Sequence, residues 1–555
     1  MLNKYVLTAT GLLLGSLVLA GCAATTATPT TTDTTEEVTV TPTVVVDATL
    51  TAQTVLDANE NSTTVNDDEW DPSSAVAIDL DNPTAADGVT LSGSTITITT
   101  AGTYSLSGDL AGQVVVAAPD DAVVAIILDG ATIDSSDGPA ISVESADDVV
   151  ISLSGTNSVS DASAYAEDAD ANAAIFSEAD LTITGTGSLT VAGNGNDGIT
   201  SEDDLVILSG TITVDAADDA LRGKDSLVVK GGDLTLTAGG DALKSDNEED
   251  DTRGYIWIDG GAIDATAGDD GADAVTDLVL TGGTVDVHAS AKGLKGGVYR
   301  VSEGATVSVE SQDDALHSNG AIHLNLGDVT LATGDVALHA DAAIFIDGGT
   351  LDVLSSYEGI EAPAITISGG DVQVTSSDDG INASGNSTEG GGMGGGMGDT
   401  GELITISGGT IVLNADGDGF DSNGSAVMTG GTLIVNGPTN DGNGALDVNG
   451  TFTVSGGTVL AVGSAGMAVS PDSSSAQSWI SATVSGSAGD VLQILDANGS
   501  VVYEFTATKP FASVVFSSSV LADGANYSVT VGGSSPVTVT EGTAAAGGGM
   551  GGGRP

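Results

Sequence analysis

Charged and amide side chains recur in this sequence directly after an apolar position that itself repeats. In the phrases DDALRGKD, DALKSDNEED and DDALHSNG, an arginine, a lysine or a histidine follows the leucine. Cations and carboxylates on one surface could hold an acidic sugar chain through charge-assisted hydrogen bonds. A ladder of unlike charges that neutralise one another would explain the same pattern without a ligand. The whole set is Thr200, Arg222, Lys244, Asp273, Lys295, His317, His339, Glu361, Asn382, Asp421 and Asp447.

Acidic residues recur just before the same apolar position. Stacked about 5 Å apart, neighbouring carboxylates would repel by about 1 kcal/mol in water and about 3 to 4 kcal/mol at an effective dielectric of 20. Calcium takes carboxylate, amide and carbonyl oxygens in flexible geometry, so we predict bound Ca²⁺. Asx turns are the alternative explanation of these aspartates. The candidate ligands are Asp219, Asp241, Asp246, Asn247, Asp270, Asp314 and Asp379.

The candidate carbohydrate-binding residues come from these repeats. A further column contains Val206, Val228, Trp257, Val279, Val301, His323 and Phe345. Its outward apolar side chains are either covered by a loop or terminal segment or form a platform for sugar rings. No catalytic residue is assigned, but in a lyase Lys244, Lys295 or Arg222 could remove a proton α to a uronate carboxyl. The carbohydrate-binding candidates are Arg222, Lys244, Lys295, His317, His339, Glu361 and Trp257.

The repeating apolar position determines which fold can place these side chains together. Most steps between its members are 22 residues, and each unit holds three short segments of alternating apolar residues. Such a period predicts an all-β, right-handed parallel β-helix with three strands per coil, followed by a small C-terminal antiparallel β subdomain. The marker residues are Ile199, Leu221, Leu243, Ala272, Leu294, Leu316, Leu338, Ile360, Ile381, Phe420 and Leu446.

The beginning of the chain resembles a bacterial export signal. Lys4 precedes an apolar run that ends in Leu-Ala-Gly-Cys and is too short to span a bilayer. This ending resembles a lipobox and would make Cys22, the only cysteine, the lipidated first residue of the mature chain. A cleaved ordinary signal with a stray cysteine is the alternative. We expect an exported lipoprotein anchored at the bacterial cell surface or envelope, without disulfides.

The domain organisation follows from composition. The net charge of −67, from 78 acidic and 11 basic residues, makes nucleic acid and anionic membrane surfaces poor partners. We expect a polysaccharide partner, membrane contact through the lipid anchor alone, and a monomer. The predicted parts are a signal peptide (1–21), a low-complexity Thr-rich tether (22–67), the β-helix (68–468), a small β subdomain (469–541) and a Gly-rich tail (542–555).

Several phrases, among them DDALRGKD, SYEGIEAP, SDDGINASG, GDGFDSNG and GPTNDGNGALD, resemble the clostridial-type carbohydrate-binding β-helix family, whose fold is similar to that of pectate lyases. The resemblance runs from about Glu69 to Ser535 and implies calcium on the β-helix and binding of cellulose or acidic polysaccharides. Ala272, Val336 and Arg300 depart from the pattern. The family's motif residues fall on Arg222, Lys224, Lys244, Asp246, Asn247, His317, Asn319, Glu358, Glu361 and Asn382.

Three functions remain open at this point. The first is a surface lipoprotein that captures polysaccharide without cutting it. The second is a calcium-dependent, pectate-type polysaccharide lyase acting by β-elimination, and the third is a structural or adhesive rod. We favour capture, because the charged column alternates cation, acid and amide over many coils instead of concentrating around one deep site.

Overall fold

The computed structural model describes residues 46–166, 169, 171–385 and 399–545. The predicted signal peptide, Cys22, the tether up to residue 45, residues 386–398 and the last ten residues lie outside these ranges. Within the described ranges there is no helix with the length and apolar character needed to cross a membrane.

The chain forms the predicted parallel β-helix. Its short strands alternate inward apolar and outward polar residues, and strands of successive coils pair in parallel. The exception is the first strand of the first face, Val89–Ser92, which pairs antiparallel with Thr95–Ile98. A 16-stranded sheet makes the first face. Its strands are Val89–Ser92, Thr95–Ile98, Gln113–Ala117, Ile141–Ser145, Ala173–Ser177, Asp197–Ser201, Leu221–Gly223, Leu243–Ser245, Ala272–Ala274, Leu294–Gly296, Leu316–Ser318, Val336–Ala340, Glu358–Glu361, Ile381–Ala383, Phe420–Ser422 and Leu446–Val448.

A 29-stranded sheet forms the other two faces and also includes two strands of the C-terminal subdomain, Trp479–Gly486 and Phe511–Ser518. The second face contains Val76–Asp79, Gly102–Ala111, Val123–Asp134, Asp148–Ser154, Asp180–Gly185, Asp204–Ile207, Ser226–Val229, Tyr255–Ile258, Asp277–Leu280, Tyr299–Ser311, Ala321–Thr333, Ala343–Ile346, Ala364–Ile367, Leu403–Ile406, Ser425–Met428 and Phe452–Val454. Four of these strands are long and continue onto the third face. The remaining third-face strands are Thr156–Ser160, Ser188–Gly193, Thr211–Ala216, Asp233–Ala238, Ala262–Ala267, Thr284–Ala289, Thr350–Ser356, Asp371–Ser376, Thr410–Ala415, Thr432–Asn436 and Thr458–Gly463.

The marker residues stack in one interior ladder, as predicted. Ile199 pairs with Leu221, Leu221 with Leu243, and the series continues in register to Leu446. All of them are buried in the main apolar core. Ala272 keeps its place between Leu243 and Leu294, so a small side chain is accommodated without a break in the ladder.

Glycine turns join the second and third faces. Gly232, Gly261 and Gly283 follow one another up the rod with φ of 98°, 85° and 82°. Side chains other than glycine rarely adopt this left-handed conformation. A Cβ on Gly232 would also lie 2.9 Å from the carbonyl oxygen of Gly210 in the preceding coil. The turns therefore set how closely successive coils approach.

The segment before the first coil packs on the second face instead of forming a free tether. We call residues 46–70 the N-terminal segment. It contains the short helix Ala52–Leu56, whose Ala52 and Val55 lie against Val279 and Val301. A 3-10 turn, Pro72–Ser74, follows it. The expectation that the chain stays extended and unpacked up to residue 67 is therefore wrong for this part, because apolar side chains there find an apolar column to cover.

Hydrogen bonds hold the N-terminal segment along the rod. Asn59 Nδ2 donates to Asp277 Oδ2 at 2.8 Å, and the Thr63 backbone N–H donates to Asp204 Oδ2 at 2.7 Å. The Val65 N–H donates to the Thr182 hydroxyl at 3.1 Å. These contacts span many coils, so the segment stabilises the second face as a continuous cover.

An antiparallel β subdomain covers the last coil, as predicted. Phe511–Ser518 pairs antiparallel with the final third-face strand, and Trp479–Gly486 pairs with it in turn. A 4-stranded antiparallel sheet follows, made of Val501–Thr506, Val491–Leu495, Asn526–Val531 and Val537–Thr540. Pairing the last solenoid strand in this way leaves no open parallel edge there.

Arg300 occupies the interior of the β-helix. It stands in register between Leu278 and Ile322, and its side chain is fully buried. None of its guanidinium nitrogens has a hydrogen-bond partner among the described residues. Burial lowers the pKa of Arg300 to about 9, which still leaves the side chain mostly protonated at neutral pH. The coil therefore carries an uncompensated charge in its core.

Replacing Arg300 by leucine should stabilise the protein. Arg300→Leu restores the apolar ladder and removes a buried unpaired charge, which typically costs about 3 kcal/mol. We expect a higher melting temperature by circular dichroism. Arg222→Leu serves as the control, because it removes an arginine that has ion-pair partners and should lower the melting temperature. An Arg300→Leu protein no more stable than wild type would contradict the buried position.

Candidate functional site

The residues after the markers form one column on the first face. Thr200 lies beside Arg222, Arg222 beside Lys244, and Lys244 beside Asp273 in successive coils. The register continues through Lys295, His317, His339, Glu361, Asn382, Asp421 and Asp447. The alternation of strand side chains turns this outward column away from the core.

The basic residues of the outward column are held by acids. Lys244 Nζ lies 3.0 Å from Asp219 Oδ2 and 2.9 Å from Asp241 Oδ2. Lys295 Nζ lies 2.8 Å from Asp273 Oδ1. Because these aspartates surround Lys244, its pKa is raised above the usual value despite the opposing effect of burial. The ammonium group is therefore fixed in its charged form.

Arg222 is held in the same way. Its Nη1 lies 2.7 Å from Glu202 Oε1 and its Nε lies 3.0 Å from Asp246 Oδ2. Burial opposes the charge, but both acids raise the pKa of Arg222. The structure thus brings Arg222, Lys244 and Asp246 together around one polar depression of about 280 Å³.

The two histidines of the outward column stack with ring centroids 5.3 Å apart. His317 Nδ1 lies 2.8 Å from Asp314 Oδ2. His339 Nδ1 lies 3.3 Å from Glu361 Oε2, and its Nε2 lies 3.5 Å from Asp341 Oδ1. The hydrogen bond to Glu361 raises the pKa of His339 to about 9, so this imidazole is cationic at neutral pH.

A cavity of about 250 Å³ opens beside His339. The Ser384 hydroxyl donates to Glu361 Oε1 at 2.5 Å on one side of it. Glu361 has a lowered pKa because of its bond to His339, so the cavity wall carries an ionised carboxylate. Its lining is His339, Ala340, Asp341, Glu361, Ala362, Pro363, Ser384 and Gly385.

The acids before the markers form a backbone-capping ladder. The Asp241 N–H donates to Asp219 Oδ1 at 2.8 Å, and the Asp270 N–H donates to Asp241 Oδ1 at 2.9 Å. The same bond runs from the Asp418 N–H to Asp379 Oδ1 at 2.6 Å. One oxygen of each carboxylate thus fixes the next coil, and the other remains for a cation.

The counter-charge is unevenly distributed along this ladder. Lys244 forms ion pairs with Asp219 and Asp241. In the described part of the chain, no basic side chain forms an ion pair with Asp379 or Asp421. Burial, followed by neighbouring acids, raises the pKa of Asp421 to about 7. For Asp379 burial again dominates and the pKa rises to about 8.

The predicted calcium ligands fit an ion to different degrees. Asp219 and Asp241 already bind Lys244, and Asp246 binds Arg222. Asn247 Nδ2 donates to Asp225, and its Oδ1 accepts the Glu249 N–H at 2.8 Å. These four residues would have to release their partners to hold a metal. Asp270 lies in a carboxylate-rich setting and its pKa is raised to about 6, mainly by burial.

Two compact groups of carboxylates have ligand atoms within 4.8 Å of one another. One group contains the predicted Asp314, with Asp313 and Asp335. Lys292, which the sequence analysis did not single out, lies 2.6 Å from Asp313 Oδ2 and therefore partly neutralises it. Its position two residues before the marker Leu294 is the only signal that could have identified it.

The second group, Asp180, Asp203 and Asp204, was not predicted. It lies at the start of the second-face strands, where the N-terminal segment crosses them. Burial and neighbouring acids raise the pKa of Asp180 to about 6, and burial is the main reason why Asp203 rises to about 7. The paired acids of SEDDL and the acid of SEADL, which come before equivalent leucines, are the sequence signal.

Trp257 does not form an open platform. It lies in register between Val228 and Val279, and it packs against Leu56 of the N-terminal segment. Its indole N–H donates to the Thr281 hydroxyl at 2.9 Å. The alternative of a covered apolar column is therefore the one that the structure shows, and Trp257 belongs to the packing of the second face.

Known proteins resemble much of this chain in sequence. The family model described as carbohydrate-binding domain-containing protein matches residues 92–341 and 336–501, which is more than half of the chain. The chain belongs to this family. The resemblance seen in the sequence is thereby confirmed for the carbohydrate-binding domain-containing family.

Two relatives illustrate the match. A carbohydrate-binding domain-containing protein of Acetivibrio thermocellus is 36% identical over 155 residues, which are 26% of this chain and 54% of the relative. The match thus spans about half the length of that relative. A solved polysaccharide lyase-like protein from C. thermocellum, a gadolinium derivative, is 33% identical and covers 43% of this chain and 95% of its own, with a TM-score of 0.38.

The raised carboxyl pKa values predict that mild acid stabilises this family member. Asp197, Asp203 and Asp379, with pKa values of about 7, about 7 and about 8, bind protons in the folded state that the unfolded chain binds only near 3.8. The folded state therefore holds more protons throughout this window, so the free energy of unfolding rises as the pH falls from about 8 to about 5. His339 acts in the same direction, because its raised pKa favours the protonated folded state.

Thermal melting in metal-free buffers at pH 8 and pH 5 checks this prediction. We expect the higher melting temperature at pH 5. The double variant Asp379→Asn with Asp421→Asn should show a smaller difference between the two conditions, since it removes two of the responsible groups. A melting temperature that falls steadily from pH 8 to pH 5 would contradict the assignment.

Proposed function

We propose that this chain is an exported lipoprotein of the bacterial cell surface or envelope that captures polysaccharide on its first face without cutting it. The ligands are cellulose or acidic, uronate-type glycans. One observation carries the proposal: ionic side chains stay in register on the first face over many coils and remain partly exposed, with 16% of the Arg222 side chain and 28% of the Lys244 side chain accessible. The N-terminal segment covers the second face instead.

A long row of fixed charges suits a polymer. Each coil adds one polar group about 4.8 Å further along the rod, so a chain lying along it meets a cation, an acid or an amide at regular intervals. Ion pairs hold Arg222 and Lys244 in place, which lowers the entropy lost when a glycan carboxylate binds. The carbohydrate-binding family to which the chain belongs supports the same ligand class.

The electrostatics weigh against the lyase alternative for two of its three candidate bases. A general base must lose its proton near the working pH. The pKa values of Lys244 and Arg222 are raised by their acidic neighbours, which is the wrong direction for proton abstraction. Both side chains are instead suited to binding anions.

Calcium is part of the proposal. The supporting observations are the excess of acid in the chain and the carboxylates of Asp379 and Asp421, which pair with no lysine or arginine among the described residues. The two compact groups around Asp314 and Asp204 offer several oxygens at close range, as calcium requires. When bound, the ion would supply positive charge that relieves the repulsion within the acid ladder.

Lys244→Ala distinguishes capture from cleavage. If Lys244 binds glycan carboxylates, its loss should weaken binding of polygalacturonate by about 1.5 to 3 kcal/mol, and added salt should weaken it further. Pull-down with pectin, alginate and cellulose measures binding, and ultraviolet absorbance detects unsaturated uronate. Lys230→Ala is the matched control, because that lysine lies over Trp257 on the second face. Steady calcium-dependent release of unsaturated product by the wild-type protein would overturn the non-catalytic assignment.

Calcium should raise the melting temperature. An ion that binds only the folded state contributes roughly 2.7 kcal/mol at a hundredfold excess over its Kd. We expect a larger calcium effect at pH 8 than at pH 5, because protons compete for the same carboxylates. Asp203→Asn and Asp335→Asn each remove one compact group, so the variant that loses the calcium effect identifies the site. A midpoint that is the same in chelator and in excess calcium would remove the metal from the proposal.

A further inference from the structure

We propose that Tyr357 is the stacking surface of a subsite for an uncharged sugar residue. The strand Glu358–Glu361 connects it to the cavity lined by His339, Asp341, Glu361 and Ser384. The inference rests on the polysaccharide binding proposed above. It assigns one position on the rod to the binding of a neutral sugar.

Tyr357 is unusual in its exposure. Every other phenylalanine, tyrosine and tryptophan in the described ranges is at least partly buried, whereas Tyr357 is 49% exposed. Aromatic side chains gain most by burial, and a tyrosine left at a surface offers a flat apolar ring together with a polar tip. Carbohydrates present the complementary combination of apolar C–H faces and hydroxyl groups. The exposed ring is therefore matched to a sugar.

A local irregularity in the coil presents this ring. The third-face strand Thr350–Ser356 shifts register between Val353 and Ser356 relative to the next coil, and it is also irregular relative to the previous one. Leu354, which follows the buried Val353, faces outward beside this irregularity and is 55% exposed. Such bulges re-aim side chains and are frequent beside binding sites. The repeat is thus interrupted directly before Tyr357.

The backbone places Tyr357 at the corner occupied by acids in neighbouring coils. The Tyr357 N–H donates to the carbonyl oxygen of Asp335 at 2.9 Å, and the Asp378 N–H donates to that of Tyr357 at 2.8 Å. This coil therefore presents an aromatic ring between the corner aspartates of the coils before and after it.

Hydrogen-bonding groups lie at the far end of the strand Glu358–Glu361, which begins directly after Tyr357. Four residues separate Tyr357 from Glu361, which corresponds to roughly 13 Å of extended chain and suits a short oligosaccharide. Glu361 and Asp341 line the cavity there and can accept hydrogen bonds from sugar hydroxyls. A sugar ring over Tyr357 and its neighbours near Glu361 would then use one face of the coil.

The charges around Tyr357 favour an uncharged ligand. A hydrogen bond with Asp378 and the charges of Asp378, Glu358 and Asp379 raise the pKa of Tyr357. The cation of the preceding coil, His339, is already bonded to Glu361. A uronate carboxylate would meet net repulsion here. The cationic part of the outward column, around Arg222 and Lys244, lies several coils away. Neutral glycan therefore binds at the Tyr357 subsite.

Isothermal titration of the full chain with cellohexaose and with hexagalacturonate tests the proposal. Tyr357→Ala should weaken cellohexaose binding about fivefold to tenfold, and Tyr357→Phe should retain most of it because the ring remains. Binding of cellohexaose should change little with salt. Leu326→Ala, which alters an exposed side chain at a second-face turn, is the control and should bind as wild type does.

The outcomes separate this inference from the proposed function. Unchanged cellohexaose affinity in Tyr357→Ala would overturn the subsite. Wild-type protein that binds hexagalacturonate but not cellohexaose would also overturn it while leaving polysaccharide capture intact. Wild-type protein that binds neither oligosaccharide nor any polysaccharide of the pull-down panel would overturn both.

Discussion

The stacking of coils in constant register is the constraint on which the rest of the structure depends. Equivalent positions of successive coils stack on one another, so residues of the same type lie next to each other many times along the rod. For apolar markers this is favourable, because Leu294, Leu316 and Leu338 stack in successive coils and bury each other's flanks. For aspartates it is costly, because carboxylates are brought within a few ångströms of one another. The charge chemistry of the first face follows from that cost.

The chain meets this cost in three ways. One carboxylate oxygen accepts a backbone N–H of the next coil, as Asp219 does from Asp241. The other oxygen is neutralised where a lysine or histidine stands in the outward column. Where no cation is present, as at Asp379, burial and neighbouring acids raise the pKa, and a proton or a metal ion can take the vacant role. One oxygen of each carboxylate therefore stabilises the stacking of the coils, while the charge on the other oxygen depends on pH and on the available cations.

Most of the fold was predictable because period and alternation are properties of the sequence itself. The step of 22 residues located the marker ladder and both outward columns. What could not be predicted came from segments without periodicity. Residues 46–67 look like low-complexity tether by composition, yet Val55 and Val65 find buried places on the second face. Composition indicates how polar a segment is. Only the folded coils show that an apolar column on the second face is available to pack against it.

The candidate site shows the same division. The sequence placed Arg222, Lys244, Lys295, His317 and His339 in one column, but it could not show which acid each of them meets. That information is decisive for chemistry, because a lysine between Asp219 and Asp241 is a permanently charged anchor, whereas a lysine without such partners could have served as a base. Pairing thus separates capture from catalysis more clearly than residue type does. A surface whose cations are all held by neighbouring acids is organised to present charge at fixed spacing, which suits a long polymer better than a single reacting bond.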